Sequence, residues 1–443
     1  MLIFAMATIE PRILKGFRDF LPQAAIRRQN VIRTIVETYE RYGFVPLETP
    51  AMEYADILTG KYGEEGEKLM YRFWDNGKRE VALRYDLTVP LARVVAQYPE
   101  LPKPFRRYQI APVWRAENTQ KGRYREFTQC DIDTAGTTSM AADAEVAVIM
   151  AAVLTNLGFT KFEVRINNRK LLNGILEAAG IPEEKTMAAL RGIDKWLKVG
   201  AEGVREELSS ALSTDQIDKL FGLLPQSDED FFAWNARTQE VISTTAQGKE
   251  GLDEIDQVWG FVQASTFPKD VFRIDVLLAR GLDYYTGTVF EATLLDKPEF
   301  GSVFGGGRYD KLIGQFIGSD VPAVGASAGV DRILSAMEDL GMSTPRAATA
   351  DVLVLMMGKD LAKDAWQMTF ELRDAGIKTE LYYETAKMDK QLKYADKLGI
   401  PIAVIYGSQE KEQGMVTIKK LATKEQQKVS RDKLAETITG MVK

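Results

Sequence analysis

The stretch WRAENTQKGRYREFTQCDID, residues 114–133, decides the reading of the fold. Apolar and polar residues alternate on either side of a polar loop at 118–122, which predicts two antiparallel strands joined as a hairpin. Arg115 then points a guanidinium into the sheet face. That planar fork grips phosphate or carboxylate in bidentate fashion, which lysine cannot imitate. Gln129, Asp131 and Asp133 alternate, so they line one face of the return strand. Cross-strand ion pairs would explain mixed charges in a hairpin. They do not explain why Arg115, Lys121, Arg123 and Arg125 bunch around one loop.

Working outward, strand patterns are predicted at 81–85, 108–115, 125–133, 162–166, 272–278, 288–294 and 302–305. Residues 44–50 read as an edge strand, because Pro46 and Pro50 exclude a central one. Helical periodicity covers 27–42, with Ile32, Ile35, Val36 and Tyr39 on one face, and again 140–157 and 330–340. Strands and helices mix without a βαβ repeat. The expected fold class is therefore α+β, a mainly antiparallel sheet flanked by helices. Residues 170–265 change character to leucine, alanine, glutamate and lysine at helical spacing, and read as a helical insertion. Residues 341–349 read as a linker. Beyond it, an apolar run at 351–357 and alternating helix and strand patterns predict a small α/β domain at 350–443. The expected parts are thus 1–169, 170–265, 266–340, 341–349 and 350–443.

Composition removes whole classes of function. Among 443 residues there is no histidine and one cysteine, Cys130. Imidazole bases, histidine-containing triads and a histidine- or cysteine-ligated zinc site are excluded from the expectations. A lone cysteine fits a reducing, cytoplasmic setting. No apolar run approaches the ~20 residues needed to cross a bilayer. The apolar start at 1–6 lacks the basic opening and length of a signal peptide. The net charge of −6 argues against coating nucleic acid by bulk charge, though the tail from Asp351 has a slight basic excess.

Four further segments carry chemistry. In LRYDLTVP (83–90), Asp86 and Thr88 share a face if the strand continues through them, and suit an ammonium group; on this segment alone, capping of a helix with Pro90 at N1 is the favoured explanation. RGLDYYTG (280–287) combines a fixed cation, a turn glycine, a carboxylate and two phenols. FGGGRYD (304–310) is a glycine run that marks a bulge or a tight approach. GASAGVDRIL (325–334) reads as a strand giving way to a helix with Arg332 at its start. There is no Walker or Rossmann fingerprint, so nucleotide binding would need another architecture.

The order of these segments resembles the histidyl-tRNA synthetases, a branch of the class II aminoacyl-tRNA synthetases. Arg115 before its loop and Arg332 after a glycine-containing strand resemble motifs 2 and 3 of that class. Residues 46–50 resemble motif 1, which implies a homodimer. RGLDYY, FGGGRYD, RINNRKL (165–171) and KGFRDFLP (15–22) are similar to histidyl-tRNA synthetases in particular, and QLKYADK (391–397) to their anticodon-binding domain. The resemblance spans nearly the whole chain. It implies that Asp86, Thr88 and Gln129 hold the α-amino group of L-histidine, that Asp133 and Tyr285 contact its imidazole with Tyr284 alongside, and that Arg115 and Arg280 serve its carboxylate and the α-phosphate of ATP. Glu117 would lie near the adenine and Arg332 would stack on it. Gln120, Lys121 and Arg123 would meet the tRNA acceptor end. Arg280 and Arg115 are the implied catalytic pair. Ala116, Asp131, Asp133 and Asp331 depart from commoner versions of the family.

The implied activity is ligation of histidine to tRNA(His) through a histidyl-adenylate. ATP would enter with Mg²⁺, without zinc and without a membrane partner, and the insertion would contact the acceptor stem. Two alternatives stay open on sequence alone. One is a non-catalytic paralogue, such as a regulatory subunit of ATP phosphoribosyltransferase. The other is a class II synthetase for a different amino acid.

Overall fold

The computed structural model describes residues 9–61, 63–119, 122–226, 229–279, 284–342 and 346–442 (backbone alone at 63–65 and 197). Contacts group the chain into two units, residues 1–18 with 31–340 and residues 19–30 with 341–443.

The first unit contains strands β1 (Val45–Pro46), β2 (Met52–Tyr54), β3 (Arg72–Trp74), β4 (Glu80–Leu83), β5 (Phe105–Trp114), β6 (Glu126–Ala135), β7 (Phe162–Asn168), β8 (Phe272–Ile274), β9 (Thr288–Leu294), β10 (Ser302–Arg308) and β11 (Ala323–Gly329). Among the described residues, eight form one sheet in the order β1-β5-β6-β11-β10-β9-β7-β8, and β2, β4 and β3 form a smaller one. The large sheet is antiparallel except at its two edges, where β1 pairs with β5 and β7 with β8 in parallel. The central hairpin β5–β6 is ten residues long on each side and begins earlier than the periodicity suggested.

Register carries a row of residues across the sheet. Gln109, Asp131, Ser327, Gly305, Glu291, Arg165 and Arg273 are successive cross-strand partners. Two residues along lies a second row, Arg107, Asp133, Gly325, Gly307, Val289 and Asn167. Directly opposed residues share a face, and so do residues two apart on a strand, so both rows look the same way. The reverse face is covered by the helix Met140–Asn156, which is buried along most of its length. Alanines let it approach closely. Arg308, of opposite parity on β10, reaches back to it with a buried ion pair to Asp143.

The 169–263 region is helical, from Arg169–Ala178 to Ala246–Gln263. Its own core gathers Leu171, Leu190, Val204, Leu220 and Trp234. The first and last of these helices cross at glycines. A Cβ on Gly174 would lie 2.2 Å from the Cα of Gly248, and one on Gly251 would lie 2.3 Å from the Leu171 nitrogen.

The second unit contains β12 (Val352–Val354), β13 (Thr379–Leu381), β14 (Ile402–Ile405), β15 (Met415–Lys420) and β16 (Gln426–Ser430). Their order is β13-β12-β14-β15-β16, parallel for the first three and antiparallel for the rest. The parallel part matches the apolar runs in the sequence. The β15–β16 hairpin was not anticipated, because β16 is almost wholly exposed and polar. Gln391 is fully buried and bonds Met356 through both its amide groups. It ties helix Met388–Leu398 to the strand end.

Three expectations need correction. The first helix begins at Pro22, five residues sooner than predicted. Strand β8 ends at Ile274, and Asp275 to Leu278 form a turn closed by the Leu278 N–H on the Asp275 carbonyl at 3.0 Å. Asp86 and Thr88 do not lie on a strand; β4 stops at Leu83 and the helix starts at Thr88, with Pro90 in its third position. No described helix is long and apolar enough to cross a membrane.

The glycine crossing yields a stability prediction. Gly251→Val forces backbone apart where two helices touch, at a cost of about 1–3 kcal/mol. Urea unfolding should show a lower midpoint at an unchanged slope, and an unchanged midpoint would contradict the packing account.

Candidate active site

The two rows of residues converge on a cavity of about 110 Å³, lined by Asp86, Thr88, Gln129, Asp131, Asp133, Tyr284, Tyr285, Tyr309 and Ser327 among others. Asp86 reaches it from a turn. Its Oδ1 accepts the N–H groups of Thr88 and Val89 at 3.1 and 3.0 Å, so it anchors the helix start and lines the cavity at once. The capping expected of that segment is found, and the same residue also faces the cavity.

Asp131 and Asp133 project from β6 and are buried at 2% and 3% exposure. Arg107, opposite Asp133 on β5 and wholly buried, supplies the countercharge. Its Nη2 lies 2.7 Å from Asp133 and 4.0 Å from Asp131, and donates to the Leu87 carbonyl at 3.0 Å. One guanidinium faces two carboxyls, so the floor is acid-rich. Burial pushes Asp131 up to about 7, against the pull of Arg107 and with the push of Asp133. Burial likewise pushes Asp133 up to about 6, opposed by Arg107 and by the Tyr309 hydroxyl, which donates to it. Burial raises Tyr285 and Tyr309 too, followed in each case by the nearby Asp133 charge, so both remain protonated phenols. Gln129 donates to the Ser327 hydroxyl at 3.0 Å. Its Oε1 and the Oδ1 of Asp131 are buried acceptors without a hydrogen-bond partner among the described residues. Buried acceptors left this way call for a donor-rich ligand.

Glycines make the room. A Cβ on Gly325 would sit 2.0 Å from Asp133 Oδ1, and one on Gly307 would sit 3.0 Å from the Tyr285 ring. Of the glycine run in FGGGRYD, Gly305 lines the cavity and Gly307 leaves room for the Tyr285 ring.

A second cavity of about 210 Å³ adjoins the first and shares Gln129, Gly305 and Ser327 with it. Arg115 and Arg332, more than two hundred residues apart in the chain, both line it, with Glu117, Arg123 and Phe127. Arg115 is stacked 4.3 Å from the Tyr85 ring centroid and 5.1 Å from that of Phe127, and its Nε donates to the Tyr85 carbonyl at 3.1 Å. Arg332 donates to the Ser302 carbonyl at 2.6 Å. Glu117 pairs with Arg123. Arg18 binds Asp331 at 2.6 Å and lies 3.2 Å over the Tyr124 ring, fastening the N-terminal segment to this cavity's rim.

Arg280, Gly281, Leu282, Asp283, Gln120 and Lys121 lie outside the described residues. The ends of the 276–287 segment are held nonetheless. Asn167 donates to the carbonyls of Val276 and Leu278, both at 3.0 Å. The Arg169 N–H donates to the Gly287 carbonyl at 2.8 Å, and Thr286 donates to Asp310 at 2.9 Å. The sequence reading misses Arg107, because its strand starts at 108 and the observed one at Phe105. It also left Tyr309 and Ser327 without a role, although pairing GASAG with the return strand would have set Ser327 opposite Asp131.

The raised carboxyls give a signed pH dependence. Their stabilising contribution is present below the ordinary carboxyl value of 3.8 and is lost as pH rises through about 6 to 7. Asp131→Asn should therefore flatten the fall in melting temperature of the ligand-free protein between pH 5 and 8. Parallel melting curves for variant and parent would contradict it.

Comparison with known proteins shows the family. The histidyl-tRNA synthetase family profile matches residues 16–333, and the anticodon binding domain profile matches 351–441. A histidine–tRNA ligase from Rhodopirellula baltica is 44% identical over 425 residues, covering 95% of this chain and 96% of that one. The crystal structure of histidyl-tRNA synthetase from Nostoc sp. PCC 7120 superposes with a TM-score of 0.89 at 32% identity, covering 98% of this chain and 100% of that one. An ATP phosphoribosyltransferase regulatory subunit/histidyl-tRNA synthetase from Bacillus halodurans shares the fold, with a TM-score of 0.73 at 23% identity over 88% of this chain and 97% of that one. The chain belongs to the histidyl-tRNA synthetase family and is a class II aminoacyl-tRNA synthetase, a histidine–tRNA ligase.

Proposed function

We propose that the acidic, phenol-lined cavity takes L-histidine, that the arginine-lined cavity takes ATP, and that histidyl-adenylate forms across their shared wall. The observation that carries this reading is the common lining of Gln129, Gly305 and Ser327 between the two cavities. Asp86, Thr88 and Gln129 receive the α-ammonium group. Asp133 and Tyr285, with Tyr284 beside them, take the imidazole. Arg115 holds the α-phosphate, Glu117 lies near the adenine and Arg332 stacks on it. Arg280 bridges the histidine carboxylate and the α-phosphate.

In the first step a carboxylate oxygen attacks the α-phosphorus and the bond to pyrophosphate breaks. The nucleophile is already ionised at neutral pH, so a chain without histidine lacks nothing this step needs. Positioning two anions and neutralising charge on phosphorus is work for fixed arginines. ATP enters as its Mg²⁺ complex, the ion's shell filled largely by phosphate oxygens and water. In the second step a ribose hydroxyl of tRNA(His) attacks the carbonyl carbon. AMP leaves, and a phosphate oxygen is a suitable proton acceptor. Arg123 and its loop neighbours Gln120 and Lys121 meet the acceptor end.

Selectivity follows from polar readout. A wrong ligand strands buried groups such as Asp133, so discrimination of ~10⁴ or more needs no proofreading. The helical insertion is accordingly read as an acceptor-stem contact and not an editing site. A homodimer is supported by exposed apolar residues beside the two-residue edge strand β1: Val45, Met52 and Tyr54 are each about half exposed. Tyr54 also lines a groove with Leu47, Tyr98 and Ile317.

ATP–pyrophosphate exchange measured against all twenty amino acids tests the reading. Histidine alone should support exchange, and Arg115→Ala should lower it by ~10² or more. Exchange with another amino acid, or near-parental exchange by the variant, would contradict it. Separately, Val45→Asp with Tyr54→Asp should convert a dimer to a monomer in sedimentation, and an unchanged mass would remove this face as the interface.

A further inference from the structure

A cavity of about 1010 Å³ lies away from both reaction cavities, between the helical insertion and edge strand β8. Its walls present aromatic rings. Trp196 and Phe221 are tilted against each other at 5.2 Å, and Phe232 meets Trp259 edge-on at 6.1 Å. Phe232 is 59% exposed although it serves no core. Arg205 lies 4.4 Å over the Phe221 ring.

Three cations line the cleft, of which Arg205 is paired with Asp218 at 2.5 Å. Three carboxylates line the cleft, and each is engaged by the protein: Glu229 with Arg237 at 2.7 Å, Asp230 with the Ala233 N–H at 2.8 Å, and Asp275 with Arg165 at 3.0 Å. Lys269 and Arg273 are exposed and have no ion-pair partner among the described residues. Arg273 ends the residue row that begins beside Asp131, so it shares a sheet face with the residues of the reaction cavities. It lies three strand spacings beyond β10, roughly 15 Å at about 4.8 Å each. A small substrate cannot fill both places, whereas a polyanion can.

We propose that this cleft binds unpaired nucleotides of the tRNA, stacking bases on Trp196, Phe232 and Trp259 and placing phosphates against Lys269 and Arg273. Ring faces stack any base, and neighbouring cations follow the backbone, which is how single strands are held without sequence readout. The cleft floor includes Asp275, Val276 and Leu277, the residues that lead into the segment fixed by Asn167. The inference rests on tRNA being the second substrate.

The test compares the parent protein with Phe232→Ala and with Lys269→Ala/Arg273→Ala in three assays: ATP–pyrophosphate exchange, aminoacylation of tRNA(His) transcript, and direct tRNA binding at several salt concentrations. Both variants should raise the KM for tRNA about tenfold and leave exchange unchanged. The double cation variant should also reduce the salt slope by about 1.4, the value for two single-strand phosphates. Lys269→Arg/Arg273→Lys should restore the parental KM. Parental tRNA kinetics in both variants would overturn the proposal, as would an equal loss of exchange, which signals damaged folding. Polyglutamate displacing tRNA from the parent but not from the cation variant would assign the cleft to an acidic peptide instead. Failure of the parent to charge any tRNA would sink the underlying reading and not the cleft.

Discussion

The site depends on Arg107. It is completely buried on β5, and it is the cation beside the buried carboxyls of Asp131 and Asp133. A single carboxylate buried without a partner would be neutralised by proton uptake. Two carboxyls over one guanidinium leave the pocket acidic in balance and partly protonated near neutrality. That state suits a ligand whose side chain itself titrates in this range. The antiparallel hairpin β5–β6 makes the arrangement automatic, because its register sets Arg107 against Asp133 and Gln109 against Asp131.

Around that pair the sheet is thinned rather than filled. Gly325 and Gly307 occupy positions where a side chain would strike Asp133 or Tyr285. The same strands are secured from behind by Arg308, whose guanidinium is buried against Asp143 and reaches Asp310 at 3.2 Å. Asp310 in turn holds Thr286, and Asn167 holds Val276 and Leu278. The described residues on either side of positions 280–283 are therefore tied to the sheet. Rigid support is what arginines need if they are to stabilise developing charge without first reorganising.

Much of this was legible in the residues. The hairpin, the helical insertion and the parallel part of the C-terminal unit each carry a strong period in apolar residues, and each formed near its predicted place. Arg115, Glu117 and Arg332 meet in one cavity, and Asp86, Thr88, Gln129, Asp133, Tyr284 and Tyr285 in the other. What stayed hidden depends on registers between distant strands. Nothing local marks Arg107 as an internal countercharge or Ser327 as the partner of Gln129. The β15–β16 hairpin escaped because an exposed strand pair has no buried face to impose alternation on its sequence. Asp86 was ambiguous for a different reason: one carboxylate both holds the helix start and lines the cavity.

The central claim is that two adjoining cavities divide one intermediate between them. A crystal structure with a non-hydrolysable histidyl-adenylate analogue tests it most directly. The account predicts the imidazole between Asp133 and Tyr285, the phosphate mimic against Arg115, and the adenine on Arg332. An analogue bound with its imidazole outside the Asp133 cavity, or with Arg115 and Arg332 turned away from the nucleotide, would contradict it.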